Sequence, residues 1–139
     1  MMKFARPFVF AALLAPASTA LAQTANPADI SLINTSLVNI SLTNYAFTPK
    51  TIILKAGTAY HLHFINSGSK DHNFSAPEFF AASAVAAEDE AKVKKGLVDL
   101  KNGQSVDVTV TPSRAGTYPV ECTHFMHEAM GMHGSITVE

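Results

Sequence analysis

Apolar and polar residues alternate in several short runs along this chain. In Leu37-Val38-Asn39-Ile40-Ser41-Leu42-Thr43 the apolar side chains Val38, Ile40 and Leu42 fall on one face, and in Tyr60-His61-Leu62-His63-Phe64 the same holds for Tyr60, Leu62 and Phe64. A period of two is that of a half-buried strand. Further strand signals stand at Thr51-Ile52-Ile53-Leu54, at residues 97–100, at Val106-Asp107-Val108-Thr109-Val110, at residues 117–122 and at Ser135-Ile136-Thr137-Val138. Turn residues separate them, at Lys55-Ala56-Gly57, at Asn66-Ser67-Gly68-Ser69, at Lys101-Asn102-Gly103-Gln104 and from Pro112 to Gly116.

One passage breaks this rhythm. Ser75-Ala76-Pro77-Glu78 has the form of a helix capping box with a proline in the first turn, and Lys92, Lys94, Lys95 and Gly96 suit a helix end. The pattern therefore predicts an all-β, Greek-key sandwich with a short helical insertion around residues 76–95, made of one helix or two short ones. The charged run Glu88-Asp89-Glu90 to Lys95 is expected to be its solvated face.

The start of the chain has a different character. Lys3 and Arg6 precede the apolar run from Phe8 to Ala15, and the small residues Ser18-Thr19-Ala20-Leu21-Ala22 follow. This is the pattern of a signal peptide, with an apolar run too short for a membrane span, which needs about 20 residues. Residues 1–22 are expected to be removed, leaving residues 23–139 as a single domain in the periplasm or secreted, with residues 23 to about 35 a loose lead-in. No membrane span is expected.

Charge and cysteine usage then narrow the function. Without Lys3 and Arg6 the chain keeps eight Lys and Arg against eleven Asp and Glu, a formal charge of −3 with neutral histidine. That charge and the lack of a basic stripe argue against nucleic acid. Exported domains of this size often use disulfides, yet Cys122 is the only cysteine. Its thiol must be buried, reactive, paired between chains or bound to metal.

The neighbours of Cys122 favour metal. Once Met1 and Met2 leave with the leader, the remaining methionines, Met126, Met130 and Met132, all lie within ten residues of it, and His124, His127 and His133 lie in the same segment. A thiolate, two imidazoles and a weak axial thioether are what an electron-transfer copper site requires. Cys122 at a strand end can meet His127 and Met132 from the following loop, and His72 is the obvious fourth donor. Met130 is the rival for the axial place. His124, one residue beyond Thr123, is expected to sit outside the site. His133 is expected to be a surface residue, and His61 and His63 solvated face residues or a weak second metal site. Phe125 and Met126 either pack in the core or form an apolar docking patch.

His72-Asn73 and Cys122-x4-His127-x4-Met132, with Gly131-Met132 leading into Gly134-x-Ile136-x-Val138, resemble the cupredoxin, or blue-copper, family in its longer-loop form, as in auracyanins, rusticyanin and plantacyanins. The resemblance covers the chain from Leu37 onward in strand order, while its specific motifs occupy about twenty residues. It implies one copper ion cycling between Cu(I) and Cu(II), held by His72, Cys122, His127 and Met132. It also implies a hydrogen bond joining Asn73 to the residue after the cysteine, Thr123. The chain departs from the pattern in the length of residues 75–96 and in its surplus of loop histidines and methionines.

The expected function is that of a soluble, monomeric one-electron carrier, not an enzyme, serving a redox partner such as a cytochrome or oxidase. The alternative is a periplasmic copper-binding or delivery protein that passes the ion to a copper-acceptor protein from its Met- and His-rich loop.

Overall fold

The computed structural model describes residues 35–139; the leader and most of the lead-in lie outside them. The described residues form ten strands, β1 (Ser36–Thr43), β2 (Ala46–Thr48), β3 (Thr51–Leu54), β4 (Tyr60–Asn66), β5 (His72–Ser75), β6 (Ser83–Val85), β7 (Leu97–Leu100), β8 (Ser105–Pro112), β9 (Gly116–Glu121) and β10 (His133–Val138). A short helix α1 (Pro77–Ala81) and a 3-10 segment (Ala87–Lys92) lie between β5 and β7. Two five-stranded sheets result, ordered β2-β1-β4-β8-β6 and β3-β10-β9-β5-β7. Each sheet contains one parallel pair, β1 with β4 and β3 with β10.

The alternation places the core where it was expected. Ile40, Leu42, Leu62, Phe64, Val108 and Val110 of the first sheet meet Leu54, Phe74, Val98, Val120 and Ile136 of the second, all essentially closed to water. Rings lock the two layers together, with Phe74 edge-on to Phe47 at 5.5 Å and tilted against Phe64 at 4.9 Å. Removing so much apolar surface from water is the main source of the fold's stability.

The insertion differs from its expected form. Ser75 does not cap a helix: it closes β5, paired with both Leu97 and Glu121, so its backbone is already committed to the sheet. The helix begins one residue later, at an Ala76 cap with no side-chain hydrogen bond, and spans only five residues. Residues 83–85, expected to be helical, pair with β8 as its edge strand. The last part returns to a helical turn, where Asp89 accepts a bond from the Thr109 backbone N–H at 2.7 Å and from Lys92 at 2.6 Å.

Gly96 also has a role other than stopping a helix. It sits at φ +75° in the tight turn before β7, and a Cβ there would run into the backbone of Pro77. Gly96→Ala adds both a left-handed backbone penalty and a clash. The expected loss is about 1–3 kcal/mol of unfolding free energy, read by urea denaturation of the metal-free protein.

Candidate metal centre

The register between β5 and β9 joins them through Ser75 and Glu121. Beyond that pair the two segments run on as His72-Asn73 on one side and Cys122-Thr123 on the other, and the side chain of Asn73 spans between them. Its Nδ2 donates to Thr123 Oγ1 at 2.8 Å, and its Oδ1 accepts from the Thr123 backbone N–H at 2.9 Å. The Asn73–Thr123 link expected from the motif is thus present as two bonds. The Asn73 backbone N–H also points at Cys122 Sγ, 3.5 Å away, a donor suited to a thiolate.

Around this opening the three strong donors meet. His72 Nδ1 lies 3.1 Å from His127 Nδ1, and Cys122 Sγ lies 3.5 Å from His127 Nδ1 and 3.9 Å from His72 Nδ1. His72, Cys122 and His127 are all buried, and among the described residues they are the one group of three such side chains whose donor atoms all lie within 4.8 Å of one another. A triangle of this size matches metal–nitrogen bonds of about 2.0–2.1 Å and a metal–sulfur bond of about 2.3 Å. The donor set, soft thiolate with two imidazoles, is that of a copper centre.

Each imidazole is oriented from behind. His72 Nε2 lies 3.2 Å from Asn44 Oδ1, which takes the ring proton there and turns the free Nδ1 lone pair toward Cys122. Asn44 is held in turn by the Ser69 N–H and Ser69 Oγ. Gly68 permits this contact, since a Cβ would fall 2.6 Å from Asn44 Oδ1 and 2.9 Å from His72 Nε2. The neighbouring Asp71 fixes the strand entry by accepting bonds from the Asn102 backbone and Lys101. His127 packs edge-on against Tyr45 at 5.2 Å. Burial, first, lowers the proton affinity of both His72 and His127, and the charge of nearby histidines adds to it. Neutral imidazole is the metal-binding form, so protons compete for these two nitrogens only at lower pH than for a free histidine.

The loop after Cys122 is a chain of turns. His127 N–H bonds to the His124 carbonyl, Met130 N–H to the Met126 and His127 carbonyls, and Gly131 N–H to the Glu128 carbonyl. Gly131, at φ +99°, reverses the chain so that Met132 N–H reaches the His127 carbonyl at 3.0 Å while the Met132 carbonyl accepts from Cys122 N–H at 3.1 Å. Met132 is thereby tied to both other loop residues and fully buried, whereas Met130 is 56% exposed.

The remaining candidates fall outside the triangle. His124 stacks obliquely on His127 at 5.6 Å, and its buried Nε2 makes no hydrogen bond, the nearest acidic oxygen being Asp99 Oδ1 at 3.9 Å. His133 is exposed at the start of β10. Phe125 and Met126 are on the surface, not in the core. His61 and His63, expected to be solvated, both reach Asp107 across the first sheet. Spacing does not single out Asn44: its only local sign is an Asn in the turn after β1, and its role depends on a contact 28 residues away.

Two sheets with a buried triangle of one cysteine sulfur and two imidazoles define a mononuclear copper-protein architecture. The chain belongs to the cupredoxin-like domain family, whose family model matches residues 8–138. Family and donor set together support one copper ion. Among solved structures, the dithionite-reduced auracyanin of Roseiflexus castenholzii is similar over 76% of this chain and 98% of its own, with a TM-score of 0.58 and 22% identity. Auracyanin B is similar over 75% of this chain and 88% of its own (TM-score 0.55, 22% identity). A Campylobacter jejuni multicopper oxidase shares the fold over 86% of this chain and 32% of its own (TM-score 0.55, 13% identity). At these identities the likeness is one of fold. No curated protein matches the chain.

The Asn73 bridge carries a direct expectation. Asn73→Ala leaves the three donors in place but removes both bonds between their segments. Copper affinity should fall about 10- to 100-fold, the range for partners that orient metal ligands, measured by competition with a chelator.

Proposed function

We propose that this chain is an exported type 1 (blue) copper protein acting as a soluble one-electron carrier for a redox partner, with His72, Cys122, His127 and Met132 as its ligands. Copper, when bound, supplies one-electron redox chemistry. The observation that carries the reading is the preformed triangle: three donor atoms 3.1–3.9 Å apart are already held by Asn73, Asn44 and the loop bonds. A site set before the ion arrives rearranges little between oxidation states, which is what a fast carrier needs.

The chain's own residues supply the rest. Cys122, His72 and Met132 are closed to solvent, which excludes water from the centre, while His127 is 8% exposed and is the ligand nearest the surface. Exposed Phe125 on the same loop gives that edge an apolar border for a partner such as a cytochrome or oxidase. Burial of Met132 against exposure of Met130 supports Met132 as the axial ligand. The leader-like residues 1–22 support a periplasmic or secreted single domain, 23–139, and the auracyanin neighbours support a carrier over an enzyme; the carrier of this reading works as a monomer.

Titrating the protein with Cu(II) should produce an intense thiolate-to-copper visible band and a narrow-hyperfine paramagnetic spectrum at one ion per chain, and a reduced cytochrome should bleach the band rapidly. Copper bound without the band would sink the reading. A second reading, copper delivery, draws on Met126 and Met130, 54% and 56% exposed and surplus to four ligands. Quick copper transfer to an acceptor protein together with sluggish electron exchange would select it instead.

A further inference from the structure

The outward face of the first sheet holds a second group of metal-capable side chains. His61 and His63 stand two apart on β4, and β8 runs antiparallel beside it with Asp107 directly opposite His63. Both imidazoles converge on one carboxylate oxygen: His61 Nε2 lies 3.0 Å and His63 Nδ1 2.6 Å from Asp107 Oδ1. We propose that His61, His63 and Asp107 form a second binding site, for a divalent transition ion such as zinc or copper(II), on the sheet opposite to the one that carries Cys122.

The donor chemistry suits such an ion, and the spacing does so once the two rings turn. Two imidazoles and one carboxylate are a zinc and copper(II) donor set, with further positions open to water. Ligands about 2.0–2.2 Å from a common ion stand roughly 3 Å apart, close to the two nitrogen–oxygen separations here, while the two imidazoles flank the carboxylate oxygen and must turn toward each other to share an ion. Each neutral ring carries its proton on one nitrogen, so moving it to the other nitrogen frees the Asp107-facing lone pair for an ion. The half-exposed rings, with 40% and 33% of their side-chain surface open, can turn to close on it. Hydrogen bonds from His63 and His61 hold Asp107 below the usual carboxylate range, so it is ionised whenever the imidazoles are neutral.

The surroundings tolerate a cation. Lys92 sets its ammonium on the Asp107 carbonyl at 2.8 Å, but Asp89 pairs with it at 2.6 Å and offsets its charge. The Cα register sets Asn39 and Leu37 of β1 beside His63 and His61, and Thr109 of β8 opposite His61, none of which brings a competing charge. The site is open to solvent and lacks a buried wall, so it exchanges its ion readily.

The test reads the histidines one by one. Full-length mature protein, first loaded with Cu(I) so that the Cys122 centre is filled, is titrated with Zn(II) while the imidazole proton and carbon resonances are followed by NMR. Saturating shifts of His61 and His63 at one added ion per chain, with half-saturation raised at least about tenfold in Asp107→Asn and in His61→Gln, support the site. Unmoved His61 and His63 signals, or shifts unchanged in both variants, overturn it. Assigning the His61 and His63 signals by their loss in His61→Gln and His63→Gln separates them from those of His72 and His127, so the second site is tested even in a chain that fails to load Cu(I).

Discussion

Cys122→Ser should abolish the intense visible absorption of the copper-loaded protein and lower Cu(I) affinity by more than about 100-fold, beyond the range seen for outer partners of metal ligands. The thiolate is the one donor here whose charge transfer to copper can give such a band. A serine hydroxyl stays protonated at neutral pH and is a hard oxygen, poorly matched to a soft monovalent ion. His72 and His127 keep their supports from Asn44 and Tyr45, so weak Cu(II) binding at the two imidazoles remains while the colour does not. Absorption and paramagnetic spectra of the two proteins, with urea denaturation of both metal-free forms as a control for folding, check it. A variant that kept the band would place the thiolate outside the centre.

The second large effect is on the fold, at Phe74. Its ring is 1% exposed and packed between Phe47 and Phe64, and it is two residues from His72 on β5. Phe74→Ala removes a buried ring and leaves a cavity where the sheets meet, for an expected loss of about 3–5 kcal/mol. In a domain of this size that corresponds to a fall in melting temperature on the order of 15 °C or more. The same strand carries His72 and Asn73, so the loss should be accompanied by weaker copper binding. Calorimetric melting with and without copper separates the two: a variant that melts early yet binds copper normally would show that β5 holds its ligand independently of its packing.

The ligand loop could be read from the chain because its information is local. Cys122, His127 and Met132 recur at equal intervals within one turn-rich segment, and residue type alone marks them as donors. His72 lies 50 residues from Cys122, yet its pairing with Asn73 flagged it, and the Asn73–Thr123 bonds are what that dipeptide serves. The alternating faces of β1, β4 and β8 were equally plain, since a period of two survives any tertiary arrangement. Where the sequence misled, competition between elements decided. Ser75 had the right spacing for a cap, but two neighbouring strands claimed its backbone. Residues 83–85 are too short a run to display any period, and became a strand because the edge of β8 was free to pair. Asn44 and Asp107 gained their roles from contacts 28 and 44 or more residues away, which no local window contains.

The parallel ladder between β3 and β10 bears on when the metal centre comes into being. It sets Thr51 beside Ser135, 84 residues later, and β10 also closes on β9 from the other side of the ligand loop. Closing so wide a loop is entropically slow and tends to come late in folding. Until β10 pairs with β9, Cys122 is anchored on one side only and Met132 has no fixed position relative to it. Met132 meets Cys122 through the β9–β10 hairpin, which is local in sequence, so the ligand loop can close first and the β3–β10 pairing then fixes it against the rest of its sheet.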